Sequence, residues 1–208
     1  MKPGGPKGVI IWDFDGVLFE TSRQTQENLR LLGQIGIPEK TVLAAREFVL
    51  RSKKHFSMAS FIRALNRNGK KYSARKIRHI FLTNWRINSY YDLRVDALLH
   101  RLKKRGFVQM VLSMGNPTFQ YKKMFEGCGT SFGKHFTILI VTRREKYHTL
   151  RKFKNKYNGI PFIFIDDTRH NLDLAQMHVP NIKTIQYSNV TGHTLGWLEK
   201  QILHYAKK

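Results

Sequence analysis

Asp13 and Asp15 flank Phe14 at the end of the apolar run Gly8-Val9-Ile10-Ile11-Trp12, and Gly16 follows them. Alternation along a strand places both carboxylates on one face. Two acids held close do not keep the same proton affinity: one stays ionised and nucleophilic while the other can hold and transfer a proton. Gly16 lets the chain turn sharply after them without a Cβ penalty. Taken alone, Asp-x-Asp-Gly also suits a plain turn or a calcium loop. Asp166-Asp167, at the end of Phe162-Ile163-Phe164-Ile165, supplies further hard oxygen donors. With Asp13 and a carbonyl of the Asp13–Asp15 loop they suit Mg²⁺, which takes a few carboxylates together with water and phosphate oxygens. Ser113 ends the run Val108-Gln109-Met110-Val111-Leu112. It offers a hydroxyl, and Met114-Gly115-Asn116 bring loop N–H groups to the start of the next helix, a position that receives anions well. A cation is needed beside the phosphate. Lys146, after Thr142-Arg143-Arg144-Glu145, stands at the right end of its segment to neutralise charge, with Arg143, Arg144 and Lys122 as competitors.

These residues share one placement: each follows a short apolar run. Thr137-Ile138-Leu139-Ile140-Val141 is a fourth such run and Ile182-Lys183-Thr184-Ile185 a weaker fifth. Helical stretches near 94–105, 117–126, 145–157, 169–178 and 194–206 alternate with them. The alternation predicts an α/β fold, a Rossmann-like parallel sheet with helices on both faces. Ligands of such sheets bind outside the carboxyl ends of the strands, which is where the polar residues fall. Residues 20–90 break the rhythm. Leu29-Leu32-Ile35, Val42-Phe48-Val49, Phe61-Ile62-Leu65 and Ile77-Ile80-Phe81 recur at helical spacing, with breaks at Gly36-Ile37-Pro38 and Asn68-Gly69-Lys70. The expected organisation is a core of 1–19 and 91–208 with a helical, basic insert at 20–90. Hinged at about 19–22 and 88–92, the insert would close over the site as a lid.

The chain has 208 residues, 41% hydrophobic and 25% charged, ordinary globular usage that excludes a disordered or collagen-like chain. No apolar run approaches the roughly 20 residues of a spanning helix, and Met1-Lys2-Pro3-Gly4-Gly5-Pro6 lacks the apolar stretch of a signal peptide. The expectation is a cytoplasmic protein with no membrane attachment. One cysteine, Cys128, excludes an internal disulfide and a thiolate metal cage. The large deviation is charge: 37 Lys and Arg against 14 Asp and Glu, net +23. That balance suits small anionic phosphorylated substrates or nucleic acid. The insert holds 15 basic and 4 acidic residues. Lys53, Lys54, His55, Arg63, Arg67, Lys70, Lys71, Arg75, Lys76, Arg78 and Arg86 lie there, with Phe56, Tyr72, Trp85, Tyr90 and Tyr91 near them. Two readings stand for this insert: a cationic face with aromatic stacking sites for nucleic acid, or a solvated surface around an aromatic core.

The ordered set of Asp13-Phe14-Asp15-Gly16-Val17-Leu18, strand-terminal Ser113, Lys146 and strand-terminal Asp166-Asp167 resembles the haloacid dehalogenase (HAD)-like hydrolase superfamily. The likeness covers 1–19 and about 91–208, and the insert sits where the family carries a C1-type cap. The resemblance implies a Mg²⁺-dependent phosphatase working through an aspartyl-phosphate on Asp13, with Asp15 as general acid and base. It further implies phosphate binding by Ser113, Met114, Gly115 and Lys146, and a metal site of Asp13, Asp15, Asp166 and Asp167. Family members acting on haloacids lack an acid at the position of Asp15, so Asp15 points to phosphoryl transfer, with phosphomutase as a variant. Asn171 stands where many relatives carry another acid, which leaves Asp173 as a surface helix residue. The alternative is a nucleic-acid-associated protein on the same scaffold, a polynucleotide end phosphatase or a binder with vestigial activity.

Overall fold

The computed structural model describes residues 5–53, 55–67, 69, 71–129, 132–190 and 192–207. Met1–Gly4, Lys54, Asn68, Lys70, Thr130, Ser131, Thr191 and Lys208, together with the side chain of Lys53, lie outside the described residues. The chain divides into two units. One comprises Met1–Glu20, Tyr91–Met114 and Ser131–Lys208, and the other Thr21–Tyr90 with Gly115–Thr130.

The first unit is built on five parallel strands in the order β3-β2-β1-β4-β5: β1 Gly8–Trp12, β2 Phe107–Met114, β3 Ile138–Thr142, β4 Phe162–Asp166 and β5 Ile182–Gln186. The central strands β1 and β4 are buried along their whole length, which explains why they read as unbroken apolar runs rather than as alternations. Residues one apart serve opposite faces of the sheet. Val9, Ile11, Met110, Leu112, Phe162 and Phe164 form one core cluster with Leu150 of α7 (Lys146–Lys156) and with Leu172 and Ala175 of α8 (Arg169–His178). On the other face, helices α5 (Leu93–Lys104) and α9 (Leu195–Tyr205) bury Leu98, Leu99, Leu102, Leu198 and Ile202. Each such side chain contributes about 1.5–3 kcal/mol through its removal from water. Two buried polar side chains among them are satisfied: Trp12 Nε1 donates to Gln109 Oε1 at 3.2 Å, and Gln109 Nε2 donates to the Leu99 carbonyl at 2.8 Å.

The second unit is helical: α1 Thr21–Gln34, α2 Glu39–Lys53, α3 Met58–Leu65, α4 Ala74–Ile87 and α6 Pro117–Gly127. The expected breaks fall between α1 and α2 and between α3 and α4. Its centre is aromatic. Phe56 meets Phe61, Phe81 and Phe119 at ring separations of 5.3, 6.3 and 4.8 Å, and Trp85 meets Phe119 at 5.2 Å. Beside it Asn84 Nδ2 donates to Asn28 Oδ1 at 2.8 Å, and the Tyr90 hydroxyl donates to Asn84 Oδ1 at 2.6 Å.

The inclusion of α6 corrects the sequence reading, which assigned all of 91–208 to the core. Strand–helix alternation marks α6 as a crossover helix but does not say what its side chains meet. Phe119 joins the aromatic cluster, and Glu126 accepts two hydrogen bonds from Arg86, at 2.7 and 3.1 Å. The aromatics of the insert also resolve: Trp85 and Tyr90 are buried within this unit and Tyr91 within the first, so none of the three presents an open ring face. No helix among the described residues is long and apolar enough to cross a membrane.

Candidate active site

The strand register brings the candidate residues to one edge of the sheet. Trp12 pairs with Val111 on one side and Ile165 on the other, so Asp13, Asp166 and Ser113 all lie at the carboxyl ends of adjacent strands. Asp13 continues β1, its N–H donating to the Ile165 carbonyl at 2.8 Å. The loop that follows is tied by its own backbone: Leu18 and Phe19 both donate to the Phe14 carbonyl, and Gly16 N–H to that of Phe19. Gly16 has φ +76°, and a Cβ there would fall on the Asp167 carboxylate, 2.9 Å from its Cγ. Glycine is required twice over, for the left-handed backbone and for the approach of a metal-ligand candidate.

Lys146 is the first residue of α7 and is buried, with a side-chain exposure of 3%. Its ammonium lies 2.7 Å from Asp13 Oδ1 and 2.7 Å from Asp166 Oδ2. Among the four competing cations the structure therefore places Lys146 at the acids. Arg143, Arg144 and Lys122 are exposed, and Lys122 belongs to the helical unit. Asp166 is fully buried and accepts further hydrogen bonds from the start of α8. Asn171 Nδ2 donates to both of its oxygens, at 3.0 and 3.1 Å, and the Thr168 N–H donates to Oδ1 at 2.9 Å. The Thr168 hydroxyl donates to Asp167 Oδ1 at 3.0 Å.

Asp13, Asp166 and Asp167 each offer a carboxylate oxygen within 4.8 Å of the others, a donor set of hard oxygens suited to a divalent cation. The Asp13 carboxyl is raised to about 8, by burial above all, with Lys146 opposing the rise and Asp166 and Asp15 adding to it. Asp167 is likewise raised, by burial first and then by Asp166 and Asp15, against the Thr168 hydrogen bond and Lys146. Burial opposes the charge on Lys146, but Asp13 and Asp166 outweigh it and hold the lysine above its ordinary value. Four carboxylates around one ammonium leave an excess of negative charge that a divalent cation would balance, lowering both raised carboxyls.

Asp15 is half-buried and close enough for its charge to act on Asp13 and Asp167. Ser113 is buried near the end of β2, and Met114 is the strand's last residue. Gly115, the other expected phosphate-binding residue, belongs to the helical unit and lies beside Gln120 there. Asp173 is exposed and pairs with Arg169 at 2.9 Å. Thr168 and Asn171 are the residues missed from sequence. Their signal was local, two and five residues after Asp166 at the start of α8, where a strand-terminal acid needs donors.

No protein-family model matches the chain, and no curated protein matches it in sequence. Solved structures do match in fold. A haloacid dehalogenase-like protein from Burkholderia xenovorans superposes with a TM-score of 0.74 at 14% identity, covering 95% of this chain and 97% of that one. A HAD family enzyme from Bacteroides thetaiotaomicron, solved with magnesium and inorganic phosphate, gives 0.59 at 19% identity, covering 92% of this chain and 98% of that one. A dehalogenase solved as an intermediate complex gives 0.64 at 11% identity, covering 91% of this chain and 88% of that one. The chain has the fold of the HAD-like hydrolases, a parallel α/β sheet with its acids at the strand ends.

Proposed function

We propose that this chain is a Mg²⁺-dependent phosphatase that hydrolyses a phosphate monoester through a covalent intermediate on Asp13. The reading rests above all on the second carboxylate, Asp15, two residues beyond the candidate nucleophile. The fold is shared with a dehalogenase, so the fold cannot choose the reaction. The leaving groups differ. A halide departs without a proton, whereas an alkoxide leaving phosphorus needs one, and a carboxyl beside the nucleophile can deliver it.

In this reading an Asp13 oxygen attacks phosphorus, the new Asp13–O–P bond forms, and the P–O bond to the alcohol breaks as Asp15 protonates the departing oxygen. Asp15, now ionised, takes a proton from a water whose oxygen attacks phosphorus, releasing phosphate and restoring Asp13. Lys146 orients Asp13 and favours its ionised form against burial, and its charge offsets that on the phosphoryl group. Ser113 and the N–H of Met114 would hold the phosphoryl oxygens. Bound by Asp13, Asp166, Asp167 and the Asp15 carbonyl, Mg²⁺ would supply charge neutralisation at the phosphoryl group. The likeness to the Bacteroides enzyme, solved with magnesium and phosphate, supports this choice of metal and ligand. A small phosphorylated metabolite or nucleotide is the proposed substrate class, and the helical unit the proposed cap.

Hydrolysis of a generic aryl phosphate tests the reading. Turnover is expected with Mg²⁺, to be lost on chelation, and to fall at least about a thousandfold in Asp13→Asn. Equal turnover in wild type and Asp13→Asn would overturn the mechanism.

A further inference from the structure

A second candidate site lies within the strand-built unit, on α7 but away from its buried Lys146. A groove of about 660 Å³ is lined there by residues that include Arg144, Tyr147, His148, Arg151, Lys152 and His178. His148, Arg151, Lys152 and Asn155 recur at helical spacing and form one exposed stripe. Tyr147 lies against two histidines, its ring 4.1 Å from that of His148 and 4.2 Å from that of His178, which makes a run of three rings at the groove.

Arg144, Arg151 and Lys152 line this one groove together, while several arginines elsewhere in the unit are neutralised by acids. Arg94 pairs with Asp92, Arg101 and Arg105 with Glu199, and Arg169 with Asp173. No acidic side chain among the described residues pairs with Arg144, Arg151 or Lys152. The reason is visible in the chain: from Leu139 to Ile165 the only acid is Glu145. Converging cations without an internal counter-charge, in a concavity with exposed ring surfaces, are matched by an external polyanion that also carries flat apolar groups.

We propose that this groove binds single-stranded nucleic acid, the cations contacting successive phosphates and the ring run receiving bases. An anionic membrane fits less well, since none of the groove-lining residues is aliphatic and a membrane-surface site buries apolar side chains. A single phosphate fits less well too. Three cations, Arg144 before α7 and Arg151 and Lys152 in its second turn, line the groove. The proposal is independent of the phosphatase reading, because it is tested without turnover.

The probe is a fluorescently labelled oligothymidylate of about 20 nucleotides, long enough to cover such a groove, and its binding is followed by anisotropy against salt. Arg144→Ala/Arg151→Ala/Lys152→Ala is expected to weaken binding at least about tenfold at low salt and to reduce the salt slope by about 2, near 0.7 per lost phosphate contact. Arg151→Gln/Lys152→Gln should fall between it and the wild type. The control, Lys104→Ala/Lys183→Ala/Lys200→Ala, removes the same charge from exposed positions elsewhere in the unit and should bind almost as the wild type does. Equal losses in control and groove variants would reduce the effect to net charge and overturn the site. Wild-type affinity in the groove variant, absence of binding by the wild type, or displacement of the strand by adenosine monophosphate at equal phosphate concentration would each overturn it as well.

Discussion

Lys146 donates to Asp13 and Asp166 at once, and this one ammonium is what allows two buried carboxylates to coexist at 2.7 Å from it. Removing it leaves both acids buried without their cation. Lys146→Ala is expected to lower stability by about 3–5 kcal/mol, read by denaturant unfolding, with added Mg²⁺ recovering part of the loss. The raised Asp13 carboxyl makes a separate prediction. In the folded, metal-free protein it holds its proton up to about 8, whereas an ordinary aspartate releases it near 3.8. Between those values the folded state binds more protons than the unfolded one, so stability without metal falls as pH rises. Mg²⁺ competes with that proton and should raise the melting temperature more at pH 9 than at pH 6, by at least about 3 °C, or about 1 kcal/mol in a chain of this size. Equal shifts at both pH values would show that Asp13 does not ligate the ion. For Asp15, the expected signature of Asp15→Asn is a loss of about 10²–10⁴-fold in kcat/KM on alkyl phosphates, whereas nitrophenyl phosphate, whose leaving group needs no proton, still gives a rapid burst of nitrophenol followed by slow turnover, because the water-activating base is gone.

At the scale of elements, the site is a set of strand ends held in register and joined by one helix start. The loop after β1 admits no side chain at Gly16, because its φ of +76° and the Asp167 carboxylate both exclude a Cβ. Gly16→Ala should displace Asp167 and weaken Mg²⁺ binding, measured calorimetrically, while the sheet stays folded; unchanged Mg²⁺ affinity would remove Asp167 from the metal site. The start of α8 serves Asp166 through the Thr168 N–H and Asn171, and Asp167 through the Thr168 hydroxyl. Its helix offers donors at the end where N–H groups have no partner within the helix, and an acid there is well received.

For the whole molecule, the sheet and the helical unit each have their own core, and α6 belongs with the helices. Phe119→Ala should therefore lower amide-exchange protection in α3 and α4 while leaving β1 and β4 nearly unchanged. Loss of protection in β1 instead would return α6 to the strand-built unit. The net charge of +23 is spread over both units, so charge alone identifies no surface. What distinguishes the α7 groove is that Arg144, Arg151 and Lys152, none of them paired with a carboxylate, line one concavity with the Tyr147, His148 and His178 rings.

Sequence determined the order and type of the elements and the acids at their ends, because burial imposes unbroken apolar runs on the central strands and a helical repeat on the helices, and a polar residue ending a buried strand stands out against its run. Asp13, Asp166 and Asp167 were legible for that reason, and the crystal structures of similar fold share the sheet that carries them. Three things waited for the tertiary structure. The choice of Lys146 over Arg143 and Arg144 depends on which side chain at the start of α7 points inward, a matter of helix phase against the sheet. The support of Asp166 by Thr168 and Asn171 depends on the angle at which α8 leaves β4. The membership of α6 depends on which aromatic cluster its Phe119 enters, and no local pattern records the partner of a side chain that is distant in the chain.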